Sequence, residues 1–272
     1  MTRLDQALVE RGLCESRERA KRIILAGQVR INTRTARKPS DAVKPDDALA
    51  LDAVEKYVSR GGHKLEHALL HFQLDVAGLT ALDLGASTGG FTDCLLQHGA
   101  AKVFAVDVGR GQLAWKLRND PRVVVMEKTN ARYLTPERFG GASSASPKLN
   151  NVKSKSGVRG TRPSDNEFRG FDLITIDCSF ISLRKILPPA IALLRPDGRI
   201  VALIKPQFEA GKAEADKGRG VIRDPSVHER VLNELREFVR AQPGLRWRGV
   251  VESPLLGPAG NKELLALIEK TS

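Results

Sequence analysis

The sequence predicts an α/β protein in which a parallel sheet with crossover helices follows a smaller α+β unit. Two observations support this prediction. Short apolar runs typical of buried strands recur between residues 79 and 204, with helical apolar spacing between them. The first run, 79–84, leads into a turn with three glycines and then into a helical stretch over 91–97. Strand, glycine turn and helix form the first crossover of a Rossmann-like sheet, where such folds hold a nucleotide-like cofactor.

The composition is that of a basic, globular chain. With 272 residues, of which 41% are hydrophobic, it is long enough for one good core and a small accessory domain. Its net charge of +12 and its isoelectric point of about 9.9 favour an anionic partner, most commonly a nucleic acid. Three widely spaced cysteines indicate reduced thiols in a cytoplasmic protein. The polar start and the lack of a long apolar run predict neither a secretory signal nor a membrane segment.

The first 56 residues are predicted to form a unit of their own. Apolar spacing indicates a helix over 3–11, and Ser16 is a good N-cap for a second helix that runs to about residue 27. Short strands follow near 29–31 and 48–51. Eight basic residues and one acid lie between residues 17 and 38, which favours a nucleic-acid surface over an ordinary solvated helix. The candidate RNA contacts are Arg17, Arg19, Lys21, Arg22, Arg30 and Arg34.

The next helical stretch, 63–72, contains a pattern that resembles a metal site. His63-x-x-Glu66-His67 is formally the inverted zinc-protease motif, and His71 would lie on the same helix face. The rest of a metalloprotease constellation is missing, and the helix has an ordinary apolar face. We therefore expect no metal there. Lys64, which follows a flexible Arg-Gly-Gly step, is kept as a candidate for chemistry.

The glycine turn after the first strand differs from the dinucleotide pattern. Gly-x-Gly-x-x-Gly is absent, which makes an NAD-dependent oxidoreductase the weaker alternative. An acid, Asp83, precedes the turn, and this suits S-adenosylmethionine, whose ammonium group would pair with the acid. Asp107 ends the second strand, where such folds hold ribose hydroxyls, and Asn130 follows the third strand and suits an adenine edge. The candidate cofactor residues are Asp83, Gly85, Ser87, Gly89, Gly90, Phe91, Asp107 and Asn130.

Two opposite charges, Asp177 and Lys205, end the fourth and fifth predicted strands. Adjacent parallel strands place ligands at their carboxyl ends, so the pair indicates chemistry rather than solvated surface. Asp-Cys-Ser-Phe at 177–180 differs from the Asn/Asp-Pro-Pro-aromatic step of amino-group methyltransferases, so a planar amine is the less favoured acceptor. A ribose 2′-hydroxyl as acceptor would need a base. A lysine can deprotonate a hydroxyl when burial and neighbouring positive charge lower the pKa of its amine. Lys64 would provide that charge, and Asp177 and Glu263 would orient the two lysines.

The remaining stretches complete the α/β pattern. Residues 209–221 are rich in glycine, alanine and lysine and predict a mobile loop over the site. A helix from Asp224 to about residue 242 follows, and then two strands over 246–252 and 263–269. The segment 141–170 has almost no apolar residues and is predicted to be a disordered, basic insertion.

The first domain resembles a known RNA-binding fold. The stretch RLDQALVERGLCESRERAKRIILAGQVRINTRTARKPSDAV is similar to the small domain first described in a ribosomal protein, the S-four domain. Its core, SRERAKRIILAGQVRIN, is the most specific part of the match. The resemblance implies structured RNA as the partner, held by the second helix and the loop after it.

The whole chain resembles the TlyA family of hemolysin-A-type rRNA methyltransferases. The match is carried by YVSRGGHKL, LDLGASTGGFTD, AVDVGRGQLAWKLRNDPRV, EKTNAR, DLITIDCSFISL, LIKPQFEAG and ESPLLGPAGNKE. It implies two domains, 1–56 and 57–272, the second an FtsJ-like class I methyltransferase domain that uses S-adenosylmethionine. It also implies ribosomal RNA or ribosomal subunits as the partner and a cytidine ribose 2′-hydroxyl as the target. The Lys-Asp-Lys-Glu tetrad of FtsJ-like enzymes corresponds to Lys64, Asp177, Lys205 and Glu263.

Two other functions stay open at this point. One is a non-enzymatic RNA-binding or ribosome-associated factor. The other is a membrane-active hemolysin, which only the family's name suggests. The sequence also leaves open the modified nucleotide, the ribosomal subunit that carries it, and the choice between monomer and homodimer.

Overall fold

The computed structural model describes residues 1–51, 56–139 and 168–271 of the chain. The chain divides into two compact units, 1–56 and 57–272. Most of the segment 141–170, the predicted insertion, lies outside the described residues.

The N-terminal unit combines two short helices with short antiparallel strands. Its elements are β1 (Thr2–Arg3), α1 (Leu4–Glu10), α2 (Arg17–Leu25), β2 (Val29–Ile31), β3 (Arg34–Ala36), β4 (Ala42–Val43) and β5 (Leu49–Leu51). Within the described residues, β2 lies between β3 and β5, and β1 pairs with β4. As predicted, Ser16 caps α2: its hydroxyl accepts a hydrogen bond from the backbone N–H of Arg19 at 3.3 Å. Leu4, Leu8 and Ile24 are fully buried in its core.

The C-terminal unit is a sheet of seven strands, counted over the described residues, with helices on both faces. The strands are β6 (Thr80–Leu84), β7 (Lys102–Val106), β8 (Val123–Met126), β9 (Phe171–Ile176), β10 (Leu194–Ile204), β11 (Leu245–Glu252) and β12 (Leu264–Lys270). The helices are α3 (Gly61–His71), α4 (Gly90–Gln97), α5 (Trp115–Arg118), α6 (Leu183–Leu193), α7 (Pro206–Glu209), α8 (Lys212–Lys217) and α9 (Pro225–Arg240).

The strand order places the chemistry-bearing loops together. It runs β11-β12-β10-β9-β6-β7-β8, and the pairs from β10 to β8 are all parallel. β12 alone among the described strands of this sheet is antiparallel to both of its neighbours. From β6 the chain adds β7 and β8 on one side of the sheet, and then β9 and β10 on the other side. The carboxyl ends of β6 and β9 therefore flank the point where the direction of strand order reverses. The predicted α/β, Rossmann-like architecture is confirmed.

Each face of the sheet has its own apolar core. Successive residues of a strand point to opposite faces, so Ala81 of β6 packs with α3 and α4, and Leu82 packs with α6 and α9. In α9, residues four apart are buried, as an amphipathic helix requires. The sheet is therefore a rigid frame for the loops at its carboxyl edge.

Two segments differ from the sequence prediction. Residues 209–221 were expected to form a mobile loop, but the chain forms the short helix α8 within this segment. The helix α6 was not predicted, because it contains Pro188 and Pro189, which normally interrupt helices. Ser182 caps α6, and an apolar face at helical spacing is buried against the sheet, so packing overrides the cost of the prolines.

Candidate active site

The glycine turn after β6 lies tightly against its neighbours. The N–H of Gly85 donates to the carbonyl of Val106 at 2.9 Å, and the N–H of Asp177 donates to the carbonyl of Leu84 at 2.8 Å. Gly85 has a φ of +86°, and a Cβ there would lie 2.7 Å from the carbonyl oxygen of Asp177. A Cβ on Gly90 would lie 2.8 Å from the backbone nitrogen of Gly62. Glycine is required at both positions because backbone, which cannot move aside, occupies the space.

Asp83 lies beneath this turn rather than at its surface. Its carboxylate is fully buried and accepts hydrogen bonds from the hydroxyls of Thr92 at 2.7 Å and Thr175 at 2.9 Å. Burial raises the pKa of Asp83 to about 6. The predicted direct contact between Asp83 and a cofactor ammonium is not met in this geometry. The side chain instead ties the turn to α4 and β9.

The carboxyl ends of β6, β7, β8 and β9 enclose a cavity of about 460 Å³, here called the cofactor cavity. Gly85, Ser87, Asp107 and Asn130 line it, together with Cys178. The Asp107 carboxylate accepts from the backbone N–H groups of Ser87 at 2.8 Å and Gly109 at 2.7 Å. Asp107 is thereby fixed at the end of β7, where the sequence predicted contacts to ribose hydroxyls.

The remaining predicted cofactor residues divide into two groups. Gly90 and Phe91 line a neighbouring cavity of about 210 Å³, to which Lys64 and Asp177 also contribute. Gly89 lines neither cavity, because it packs against α5: a Cβ there would lie 2.3 Å from Leu117 Cδ1. Six of the eight predicted residues therefore face a cavity, and Asp83 and Gly89 support the turn from behind.

The four predicted catalytic residues form two ion pairs at the carboxyl edge of the sheet. Lys64 Nζ lies 2.5 Å from Glu263 Oε2, and Lys205 Nζ lies 2.6 Å from Asp177 Oδ1. Both lysines are 8% exposed and Glu263 is 1% exposed. Charged groups are rarely so buried unless they are paired, and each ammonium here has its own carboxylate.

The topology explains why these four residues meet. Asp177 and Lys205 follow the adjacent parallel strands β9 and β10. Glu263 immediately precedes β12, and because β12 is antiparallel to β10, its start lies at the edge where β10 ends. Lys64 comes from the first turn of α3. Elements far apart in sequence thus bring both pairs to one edge.

A third cavity, of about 330 Å³ and here called the acceptor cavity, adjoins the two pairs. Lys205, Glu263, Phe180 and Phe208 are among the residues that line it. Phe180 is 90% exposed and has a φ of +63°, and its ring centroid lies 5.1 Å from that of Phe208. An exposed aromatic ring at such a place suits stacking with a planar base. Sequence reasoning did not assign Phe180 a role, and its only signal was its position three residues after Asp177.

The predicted RNA-binding residues lie in the N-terminal unit around α2. Arg19, Arg22 and Arg30 are exposed, as are Arg17 and Arg34. Lys21 is half-buried and pairs with Glu18 at 3.0 Å. Arg17 also has a structural partner, since its guanidinium donates to the buried carboxylate of Asp5 at 2.8 Å. The basic surface is present, and Arg17 is partly engaged in holding α1 to α2.

The histidines of α3 do not form a metal cluster. The rings of His67 and His71 stack with centroids 6.4 Å apart, and His63 lies 3.8 Å from Glu66. Across the described ranges, no three histidine, cysteine, aspartate or glutamate side chains converge as metal ligands. In the same ranges, no helix is both long enough and apolar enough to cross a bilayer.

Comparison with known proteins identifies the family of both units. The FtsJ-like methyltransferase family matches residues 57–270, and the S4 domain matches residues 2–49. A Mycobacterium tuberculosis protein named 16S/23S rRNA (cytidine-2′-O)-methyltransferase TlyA is 47% identical over 265 residues, which cover 96% of this chain and 87% of that protein. Hemolysin A of Brachyspira hyodysenteriae is 40% identical over 264 residues, or 97% of this chain and 98% of that protein.

A solved structure is similar in fold. It is a Streptococcus thermophilus chain with the provisional name hemolysin, and it is 41% identical with a TM-score of 0.68. The superposition covers 100% of this chain and 89% of that one. The chain therefore belongs to the FtsJ-like methyltransferase family, with an S4 domain at its N-terminal end.

Proposed function

We propose that this chain transfers a methyl group from S-adenosylmethionine to the ribose 2′-hydroxyl of a cytidine in ribosomal RNA. The observation that carries the proposal is the pair of buried lysine–carboxylate contacts beside the glycine turn. The substrate is supported by the 47% identical relative, which is named a 16S/23S rRNA (cytidine-2′-O)-methyltransferase.

The residues of the cofactor cavity fit S-adenosylmethionine. The volume of the cofactor cavity, about 460 Å³, lies in the usual range of small-molecule sites. The Asp107 carboxylate would accept from ribose hydroxyls, the Asn130 amide would meet the adenine edge, and Gly85 permits close approach to the backbone. Apolar side chains, among them Ile181 and Ile186, would cover the adenine face. When bound, S-adenosylmethionine supplies an electrophilic methyl group.

The chain's own residues activate and place the acceptor. The neutral amine of Lys205 would take the proton of the 2′-hydroxyl as the oxygen–methyl bond forms and the sulfonium–methyl bond breaks, and the Asp177 carboxylate would stabilise the ammonium that results. Lys64 holds the acceptor oxygen, and Glu263 fixes Lys64 through their 2.5 Å contact. Positioning contributes most of the rate, because the site converts a bimolecular transfer into an effectively unimolecular one.

The N-terminal unit supplies affinity for RNA. The exposed basic side chains on α2 and on the β2–β3 hairpin would contact phosphates, and contacts of this kind carry most of the affinity but little sequence information. If ribosomal RNA or a ribosomal subunit is the partner, the reaction occurs in the cytoplasm. The net charge of +12 is consistent with such a partner.

A methyl-transfer assay with Lys205→Ala tests this function. Purified ribosomal subunits that lack the modification are incubated with labelled S-adenosylmethionine and either the wild-type chain or the variant. We expect the variant to lose transfer and to retain RNA binding. Lys102→Ala is the matched control, because Lys102 begins β7 and the site lies at the carboxyl ends of the strands. This variant should behave as wild type. Full activity of Lys205→Ala would refute the assignment of the base.

The two alternative functions predict different results. A non-enzymatic RNA-binding factor would not bind S-adenosylmethionine, whereas we expect binding that Asp107→Ala abolishes. A membrane-active hemolysin would release dye from liposomes at low micromolar protein, whereas we expect no leakage. Calorimetric titration and a liposome assay separate the three functions.

A further inference from the structure

We propose that Ser179 is a positioning residue that orients the amine of Lys205 toward the acceptor hydroxyl, a role that rests on the proposed methyl transfer. Ser179 lies two residues after Asp177 and is not one of the four predicted catalytic residues. It acts through Lys205 rather than on the reacting atoms.

The contacts of Lys205 carry this inference. Its Nζ donates a hydrogen bond to Ser179 Oγ at 2.8 Å. Its contact with Asp177 Oδ1, at 2.6 Å, is an ion pair without hydrogen-bond geometry, because that oxygen has no hydrogen-bond partner among the described residues. Ser179 is therefore the group that sets the rotation of the amine about its terminal bond. A neutral amine has two N–H donors and one lone pair, so this bond directs the lone pair to one side, where the acceptor hydroxyl would lie.

The position of Ser179 is consistent with this role. It is among the residues that line both the cofactor cavity and the acceptor cavity. Ser179 therefore lies at the boundary between the two cavities, near the place where the methyl group and the acceptor oxygen would meet.

The backbone of this turn is strained. Phe180 has a φ of +63°, a conformation that bulky residues rarely adopt. Its ring is 90% exposed, so burial does not compensate. The turn is held on one side where the N–H of Asp177 donates to Leu84, and on the other by the bond from Lys205 to Ser179. Strain of this kind persists where the surrounding structure fixes a functional geometry.

Loss of the Ser179 hydroxyl should lower the maximal rate without weakening substrate binding. The amine of Lys205 would be less well oriented, so kcat falls, whereas the groups that bind the two substrates stay in place. A residue with a purely structural role would change kcat, KM and thermal stability together.

The test compares kcat and KM of Ser179→Ala with those of the wild-type chain, measured with unmodified ribosomal subunits and S-adenosylmethionine. We expect kcat to fall about 10-fold, the loss that follows from about 1.4 kcal/mol of orientation. We expect KM for both substrates to stay within about twofold and the thermal stability to stay that of the wild type. Ser179→Thr, which retains the hydroxyl, should restore most of the rate.

The controls separate this inference from the proposed function on which it rests. Ser226→Ala removes an exposed serine hydroxyl at the start of α9 and should leave kcat and KM unchanged. A wild-type kcat in Ser179→Ala would overturn the inference and leave the proposed function intact. So would a loss of rate that matches a loss of thermal stability, or one that Ser179→Thr does not restore. If the wild-type chain transfers no methyl group, the proposed function fails, and this inference fails with it.

Discussion

Both lysines of the site are buried, and each has a single carboxylate beside it. Removing an ammonium from water costs several kcal/mol, and a buried ion pair recovers this cost only in part. An apolar pair of similar volume would often stabilise the fold as well or better. At the scale of single residues, therefore, stability does not account for these charges, and we expect them to serve the chemistry of the site.

The Lys64–Glu263 pair allows stability and activity to be separated. Glu263→Leu alone leaves the Lys64 ammonium buried and unpaired, so we expect the free energy of unfolding to fall by about 3 kcal/mol. The double variant Lys64→Met with Glu263→Leu should regain most of that loss, and both variants should be inactive. Urea unfolding followed by tryptophan fluorescence reports on this unit, since both tryptophans, Trp115 and Trp247, lie in it. A double variant that is as unstable as the single one would contradict this reading.

Asp83 should make the stability of the catalytic unit depend on pH. Its pKa is raised from 3.8 to about 6 by burial, so the folded state binds the proton more tightly than the unfolded state. The stability that this group contributes is present below pH 4 and is lost as the pH rises through 6, by about 2–3 kcal/mol in total. Asp83→Asn should remove this slope, because the amide can hydrogen-bond both threonines without a charge. Unfolding free energies of the two proteins that run parallel from pH 4 to pH 7 would exclude this role.

At the scale of elements, the glycine turn, the end of β9 and the start of α3 form one closely packed unit. The turn approaches the backbone of Asp177 on one side and that of Gly62 on the other. Because β12 is antiparallel, Glu263 arrives at the same edge from the opposite chain direction. Backbone proximity, rather than side-chain packing, sets the distance between the cofactor cavity and the catalytic pairs.

Gly85→Ala tests this proximity. The new Cβ would lie 2.7 Å from the carbonyl oxygen of Asp177, so the turn or β9 must move. We expect affinity for S-adenosylmethionine to fall at least 10-fold, as measured by calorimetric titration. Gly111→Ala is the matched control: its φ is also positive, at +71°, but apart from its two chain neighbours no atom of the described residues lies within 4 Å of the added Cβ. It should cost about 1 kcal/mol of stability through backbone strain and leave cofactor affinity unchanged. Equal effects of the two substitutions would argue against the importance of close approach.

At the scale of the whole molecule, the two units divide the tasks of binding RNA and transferring the methyl group. The basic residues of the N-terminal unit are predicted to neutralise phosphates, and the acidic and basic pairs of the catalytic unit are predicted to act on one hydroxyl. Such a division predicts that RNA affinity and cofactor affinity change independently.

The triple variant Arg22→Ala, Arg30→Ala and Arg34→Ala tests that independence. We expect binding to ribosomal RNA to weaken about 10- to 100-fold and the slope of log K against log salt to become shallower by about 2–3, because each lost phosphate contact removes about one released counterion. Affinity for S-adenosylmethionine should not change. Removal of three arginines from α9 (Arg230, Arg236 and Arg240) lowers the net charge equally and should leave the slope nearly unchanged. The same loss in both triple variants would indicate a general effect of net charge.

Much of this organisation follows from local sequence patterns, and the rest depends on long-range packing. The strands could be predicted because a strand that is buried on both faces of a parallel sheet is a nearly continuous run of apolar residues. The spacing of residues in the sequence could not predict the contact between Lys64 and Glu263, since the two lie 199 positions apart. Glu263 reaches the carboxyl edge of the sheet only because β12 is antiparallel to β10. Asp83 was predicted to face the cofactor, but two threonines from different elements hold it in the core. Local rules miss such contacts because they depend on where distant elements cross.

The most direct test of the central claim is mass-spectrometric mapping of 2′-O-methylated nucleotides in ribosomal RNA, with and without this protein. We predict that one or more cytidines gain a 2′-O-methyl group in the presence of the wild-type chain and S-adenosylmethionine. The same cytidines should stay unmodified with Lys205→Ala. Identical maps with and without the wild-type chain, or a methyl group on a base instead of a ribose, would contradict the account.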